Sequence, residues 1–148
     1  MSRKVSWVVP GVVLLLAACS SVPYAQRMAQ RQAAYAAVAG APVRSFHFFN
    51  LYSWEPLGDS QVAVYTQVNR AWLLDVGPCQ NLEFTNAIGL TSFGGDVSVN
   101  FDKVLTGRGY PPCFISRIRP VDVAKLKLEQ QAQRKIDAEP RQPAAAGH

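Results

Sequence analysis

Histidine and cysteine are scarce in this chain. Its 148 residues include two His, His47 and the terminal His148, and three Cys. No Cys-x-x-Cys occurs, so the sequence carries neither a thioredoxin-type redox motif nor a zinc-knuckle spacing. A Gly-x-Ser-x-Gly elbow is also missing. Nucleophilic catalysis needs a base beside a Ser or Cys and a third group to orient that base. Only His47 is placed to serve, and on an extended strand its imidazole takes the face opposite Phe46 and Phe48, an edge position rather than a catalytic one. Asp96 and Asp102 fall on one face of an alternating segment, about 20 Å apart at roughly 3.3 Å per residue. The intervening Ser98 and Asn100 make that row a solvated face rather than a calcium loop. No metal site and no cofactor are expected. Nor is there a cationic stripe of the kind that nucleic acid requires, so no such partner is expected either.

Long hydrophobic runs are absent as well. The longest, Val5 to Leu16, is broken by Pro10-Gly11 and falls short of the roughly 20 residues that cross a bilayer. With Arg3 and Lys4 before it, the run has the layout of an export signal. The four residues that close it, Leu16-Ala17-Ala18-Cys19, resemble a bacterial lipobox. That resemblance implies cleavage before Cys19 and acylation of its thiol and amine by palmitate-like chains. One acyl chain holds only marginally, whereas two or three on one residue make attachment effectively permanent. Ser20, where an Asp would retain such a protein at the inner membrane, directs the expectation to the periplasmic side of the outer membrane. Removal of Arg3 and Lys4 leaves thirteen basic against ten acidic side chains, so the mature charge is only about +3.

With Cys19 assigned to lipid, two thiols remain, Cys79 and Cys113. An oxidising compartment makes their pairing the default. A bridge closing a loop of that length removes denatured-state entropy worth roughly 3–4 kcal/mol.

Four regions follow: a signal over residues 1–18, the lipidated Cys19 with a helical tether over 19–40, a β-rich domain over 41–128, and a charged helix end with a disordered tail over 129–148. In the tether, Tyr24, Met28, Tyr35 and Val38 approach a helical repeat that Gly40 and Pro42 end, a thin apolar face expected to fold against its own domain or to fray in solvent. Within the domain, strands are expected at Val43 to Phe49, Tyr52 to Trp54 before Pro56, Gly58 and Asp59 break the run, Gln61 to Gln67, Ala71 to Val76, Asp96 to Asp102 and Cys113 to Arg119. The third and fourth should pair through an Asn69-Arg70 turn, with Val62, Val64 and Thr66 opposite Ala63 and Tyr65. Gly94-Gly95 suits a tight hairpin turn. Alternation over Asp96 to Asp102 points Val97, Val99 and Phe101 inward. From Val121 the period becomes helical, with Asp122 near the start and Val121, Ala124, Leu128, Ala132 and Ile136 along one side. The fold class is thus mainly β, a small antiparallel sandwich or barrel with a C-terminal helix and an N-terminal helical tether.

The motifs Gly40-Ala41-Pro42-Val43, Trp54-Glu55-Pro56-Leu57-Gly58-Asp59-Ser60, Trp72-Leu73-Leu74-Asp75-Val76, Gly77-Pro78-Cys79, Ala87-Ile88-Gly89-Leu90-Thr91-Ser92, Phe101-Asp102-Lys103-Val104 and Cys113 to Val121 occur in an order that resembles the domain-of-unknown-function family numbered 6491, small lipoproteins of proteobacteria. The likeness covers about Gly40 to Leu128. It implies a lipid anchor, a paired Cys79 and Cys113, and a compact β-rich domain, and it carries no activity with it. The approach Gly107-Arg108-Gly109-Tyr110 departs from the pattern.

Aromatic residues are numerous for so small a domain. Most serve as core, while Trp54, Tyr65 and Trp72, with Arg117 and Arg119 supplying anion contacts, form the candidate ligand or partner surface. The sequence therefore leads to a non-enzymatic, membrane-anchored domain that binds or braces another envelope component, an envelope protein or a small ligand, through its β surface and charged C-terminal helix. A small-ligand-binding module with an aromatic pocket is the alternative, and a hydrolase built on His47 is a third.

Overall fold

The computed structural model describes residues 22–138. In chain order its elements are helix α1 (Tyr24–Val38), strands β1 (Ser45–His47), β2 (Ser53–Pro56), β3 (Gln61–Gln67), β4 (Arg70–Asp75), β5 (Gly89–Leu90), β6 (Asp96–Ser98), β7 (Lys103–Leu105), β8 (Cys113–Phe114) and β9 (Arg117–Val121), and helix α2 (Val123–Ala138). The signal segment, Cys19 and the tail from Pro140 to His148 lie outside the described residues.

Strands β3 and β4 alternate apolar side chains on both faces, which is why they form the middle of the domain. They pair as an antiparallel hairpin, Val62 opposite Leu74 and Val64 opposite Trp72, with an irregularity between Tyr65 and Gln67. With β2 and β9 on its flanks the hairpin makes a four-stranded antiparallel sheet, and two smaller antiparallel sheets, β1–β6 and β5–β7–β8, complete the strands. The chain is mainly β with a helix at each end, and none of the three sheets closes on itself.

The central sheet is covered on both sides. On one side Val62, Val64, Leu74 and Ile118 pack with Phe46 and Val97 of the β1–β6 pair, Val104 and Cys113 of the three-stranded sheet, and Leu82. On the other side Ala63, Leu73, Ala71 and Val121 meet Tyr35 and Val38 of α1 and Val123 and Leu126 of α2. The order of layers is helix pair, four-stranded sheet, small sheets and loops. A disulfide joins Cys79, after β4, to Cys113 at the start of β8, with Cα atoms 5.5 Å apart and a separation of 34 residues.

Helix α1 starts after Pro23 and ends at an extended Ala39. There Ala39 bridges Val121, and the Gly40 N–H donates to the Pro120 carbonyl at 2.8 Å. A Cβ on Gly40 would stand 3.0 Å from the Pro120 ring, so glycine permits this close approach. The carboxylate of Asp122 accepts the Lys125 N–H at 3.0 Å and caps α2, as its position in the sequence implied. The two helices run antiparallel, since α2 begins where α1 ends, the Asp122 N–H donating to the Val38 carbonyl at 3.1 Å.

Four expectations from the sequence are corrected. The alternating segment Asp96 to Asp102 is a strand only as far as Ser98. Asn100 adopts φ 61°, and the chain closes an α-turn in which the Asp102 N–H donates to the Ser98 carbonyl at 3.0 Å. This reverses the expected faces: Phe101 is 66% exposed and Asp102 only 2%. The cause is hydrogen bonding, because Asp102 Oδ2 accepts the Ser98 N–H and Oδ1 accepts the Thr91 hydroxyl, each at 2.8 Å. A buried carboxylate with such partners outweighs one exposed phenylalanine. The segment Cys113 to Arg119 is two strands, divided where Ile115 donates to Asp102 and Ser116 to Asp75. Pro56 belongs to β2 instead of ending it, which an edge strand allows because the missing N–H faces outward. On α2 the buried side is Val123 and Leu126, while Leu128 and Ile136 are exposed. Val121, from which the expected stripe is counted, is the last residue of β9, and the helix proper begins at Val123, so Val123 and Leu126 are the pair that packs with Tyr35 and Val38.

Candidate functional site

The five residues of the expected surface fall on two faces of the central sheet. Trp54, Val64 and Trp72 lie in one cross-strand row. Both indoles are half-buried against the layer of small sheets, and the ring of Phe46 stacks on Trp72 with centroids 4.9 Å apart and planes at 16°. Tyr65 points to the opposite face, under α1. Arg117 and Arg119 share that second face and converge on Asp75, at 3.3 and 3.5 Å, while Gln61 donates to the same carboxylate at 2.7 Å. The guanidiniums are thus held by an internal carboxylate, and the structure does not bring them together with the tryptophans.

Under α1, Tyr35 is buried and its hydroxyl donates to Glu55 Oε2 at 2.7 Å while sharing a 2.7 Å hydrogen bond with the Tyr65 hydroxyl. Arg31 completes the group, 3.3 Å from Glu55 Oε1. Burial first, then the bonds to Tyr65 and Glu55, pushes the Tyr35 phenol far above its usual range. Tyr65 is raised too, mainly by burial. Two phenols held neutral under a helix fasten that helix to the sheet, and they face no cleft that would let them act on a ligand.

The layer of small sheets presents a different surface. Phe93 and Asp96 exchange both backbone hydrogen bonds across Gly94-Gly95, whose φ angles of 62° and 87° make the mirror-image turn expected of that dipeptide. The turn lifts Phe93 into solvent. The α-turn before β7 does the same for Phe101, and the two rings meet edge to face at 6.4 Å. On the facing strand His47 is the register partner of Asp96, with Nδ1 2.9 Å from Oδ1, and its ring meets Phe49 at 4.3 Å. A carboxylate only accepts, so in this pair Nδ1 carries the hydrogen. Phe49, Phe93 and Phe101 are 87, 79 and 66% exposed. Beside them Lys103 sits 4.8 Å over the exposed ring of Phe114. A Cβ on Gly95 would lie 3.2 Å from the His47 ring, so glycine is what lets the imidazole lie against the turn.

This edge, His47, Phe49, Phe93, Asp96 and Phe101, is the candidate site. Its aromatic side chains can give up apolar area to a partner, and the His47–Asp96 pair adds a polar point of orientation. The sequence singles out His47 but not Phe93 or Phe101. The glycine pair beside Phe93 is the available signal, since a two-residue turn puts its flanks at a tip. Nothing local marks Phe101, because its exposure follows from the partners of Asp102 in distant segments.

As an acid–base device the pair is incomplete among the described residues: no Ser or Thr hydroxyl hydrogen-bonds to His47. No group of three or more His, Cys, Asp or Glu gathers there to hold a metal, and no helix among the described residues is long and apolar enough to cross a membrane. Among the described residues, clefts lie between α1 and α2, along the Cys79–Phe84 loop, at Arg44 and Asn100, and at Tyr24 and Arg27. None is lined by Trp54, Tyr65 or Trp72.

No curated protein and no solved structure matches the chain. A family model does, over residues 2–137, almost the whole length. The chain therefore belongs to the family of unknown function DUF6491.

Proposed function

We propose that this protein is a lipid-anchored, non-enzymatic envelope module, held by acyl chains on Cys19 at the periplasmic side of the outer membrane and binding a protein component through the edge formed by Phe49, Phe93 and Phe101. The observation that carries the binding reading is the high exposure of three phenylalanines in one layer, two of which, Phe93 and Phe101, meet ring to ring. Exposed apolar area concentrated in one place is a cost that monomeric soluble domains avoid unless a partner covers it. The lipobox supports the anchor, and a bridged Cys79–Cys113 suits an oxidising compartment.

A photo-reactive phenylalanine analogue placed at position 93 or 101 in growing cells tests the reading. A discrete cross-linked species at both positions, lost when the other ring is replaced by Ser, is the expected result. Adducts no more abundant than those from a probe on the outer side of α2 would remove this surface. The small-ligand reading is less well supported, because Trp54 and Trp72 fill the space a pocket would need. A hydrolase has one point in its favour, the His47–Asp96 pair, and would need a nucleophile brought by a partner.

A further inference from the structure

The short connection between the acylated residue and the folded domain dictates which side of the molecule meets the lipid. Five residue steps separate Cys19 from Tyr24, where α1 begins. Fully extended they span no more than about 18 Å, so the Tyr24 end of α1 stays within that distance of the acylated residue. That end is held against one loop of the domain: the Tyr24 hydroxyl donates to Glu83 Oε1 at 3.4 Å. The next residue, Phe84, is 78% exposed, in a loop tied down by the Cys79–Cys113 bridge. Helix α2 returns to the same end, since it runs antiparallel to α1, is of similar length at 16 residues against 15, and faces it with Gln130 and Gln133 beside Arg27 and Arg31. Its last turns carry Arg134, Lys135 and the exposed Ile136.

We propose that this end of the molecule, Tyr24 and Phe84 with Arg27, Arg134, Lys135 and Ile136, is a contact surface for an anionic lipid bilayer, Phe84 and Ile136 entering the interface and the three cations meeting headgroups. The inference rests on the reading of Cys19 as acylated. Aromatic rings and aliphatic chains beside Lys and Arg are the composition that settles at a bilayer interface. Arg27, Arg134 and Lys135 take part in none of the ion pairs of the described residues. Against them stand Glu83, bonded to Tyr24, and Asp137, which accepts from Gln133, with Asp59 lining the same cleft as Phe84 and Glu129 the same cleft as Arg27. Negatively charged lipids attract such a cluster within a Debye length. The arrangement also places the phenylalanine edge on the far layer of the domain, since α1 and the small sheets cover opposite faces of the central sheet.

The experiment expresses the full precursor in a bacterial host, purifies it in detergent, and reconstitutes it into vesicles of phosphatidylethanolamine and phosphatidylglycerol carrying brominated chains. Bromine quenches tryptophan at the depth it reaches. Phe84→Trp is compared with Phe49→Trp, and the wild type supplies the background from Trp54 and Trp72. Selective quenching of the residue-84 signal, about twofold, with none at residue 49, is the expected outcome for a side chain inserted at the interface. Arg134→Gln with Lys135→Gln should reduce it. Mass spectrometry of Cys19 in the same preparation reads the anchor separately. Acylated protein with equal quenching at both positions overturns the contact surface and leaves the anchor standing. Protein without acyl chains and without quenching overturns both.

Discussion

The two faces of the central sheet are covered by different means. On one side two helices lie over Ala63, Leu73 and Val121, and the polar groups beneath them, Tyr35, Tyr65, Glu55 and Arg31, satisfy one another. On the other side three short strand pairs and long loops lie over Val62, Val64 and Leu74, stapled by one disulfide and by the carboxylate of Asp102. A helix satisfies its own backbone and needs only a stripe to pack. Short strands and loops must find partners elsewhere in the chain for each N–H and C=O. The cross-linked layer is therefore the one that can hold unusual turns, and those turns expose the phenylalanines.

The largest effect should come from breaking that layer covalently. Replacing Cys79 and Cys113 by Ser is expected to cost about 3–4 kcal/mol in urea unfolding. Hydrogen exchange should then quicken in β5, β7 and β8 ahead of β3 and β4, and uniform quickening would show that the two faces unfold as one.

Asp102→Ala leaves the Ser98 N–H and the Thr91 hydroxyl without their acceptor. A loss of about 2–3 kcal/mol is expected for hydrogen bonds to a buried carboxylate. Since the α-turn depends on those bonds, the same variant should also weaken cross-linking from position 101 more than cross-linking from position 93.

The helix face should respond less. Tyr35→Phe removes the hydroxyl bonds to Glu55 and Tyr65, at about 1 kcal/mol each, offset in part by the relief of burying a polar group. Its clearer sign is at high pH. Above the ordinary phenol range near 10 the unfolded chain releases protons that folded Tyr35 and Tyr65 keep. The unfolded state then binds fewer protons than the folded one, so stability is full below about pH 10 and falls as pH rises beyond it. Tyr35→Phe should flatten that fall in a series of denaturation curves, and an unchanged slope would show that the tyrosines are not its source.

Smallest in stability is the change of greatest functional interest. Phe93→Ser with Phe101→Ser should stay within about 0.5 kcal/mol of wild type, as exposed substitutions do, while abolishing cross-links from an analogue placed at Phe49. Gly95→Ala should have an intermediate effect, because the residue has φ 87° and its new methyl would press on His47.

The pairing of β3 with β4, the glycine turn, the cap at Asp122 and the pairing of Cys79 with Cys113 are legible in the order of residues, whereas the hairpin turn is Val68-Asn69 and not Asn69-Arg70, since Arg70 already pairs with Gln67. Each depends on residues close in sequence or, for the bridge, on there being one connectivity left. The segment Asp96 to Asp102 is not legible in that way, although its alternation is the most regular in the chain. Periodicity reports what a segment would bury if it stayed extended, and Asp102 leaves that geometry for donors on Ser98 and Thr91.

By itself, then, the order of residues determined the mainly antiparallel β class, the terminal helices, the cross-link and the family, because these rest on local propensity, period, cysteine number and the order of motifs. The tertiary structure alone decided which aromatics are core and which are surface, that Trp54 and Trp72 stand apart from Arg117 and Arg119, and that Phe49, Phe93 and Phe101 share one edge. Exposure belongs to the packed chain, since a phenyl ring is buried or bare according to what the rest of the polypeptide brings against it.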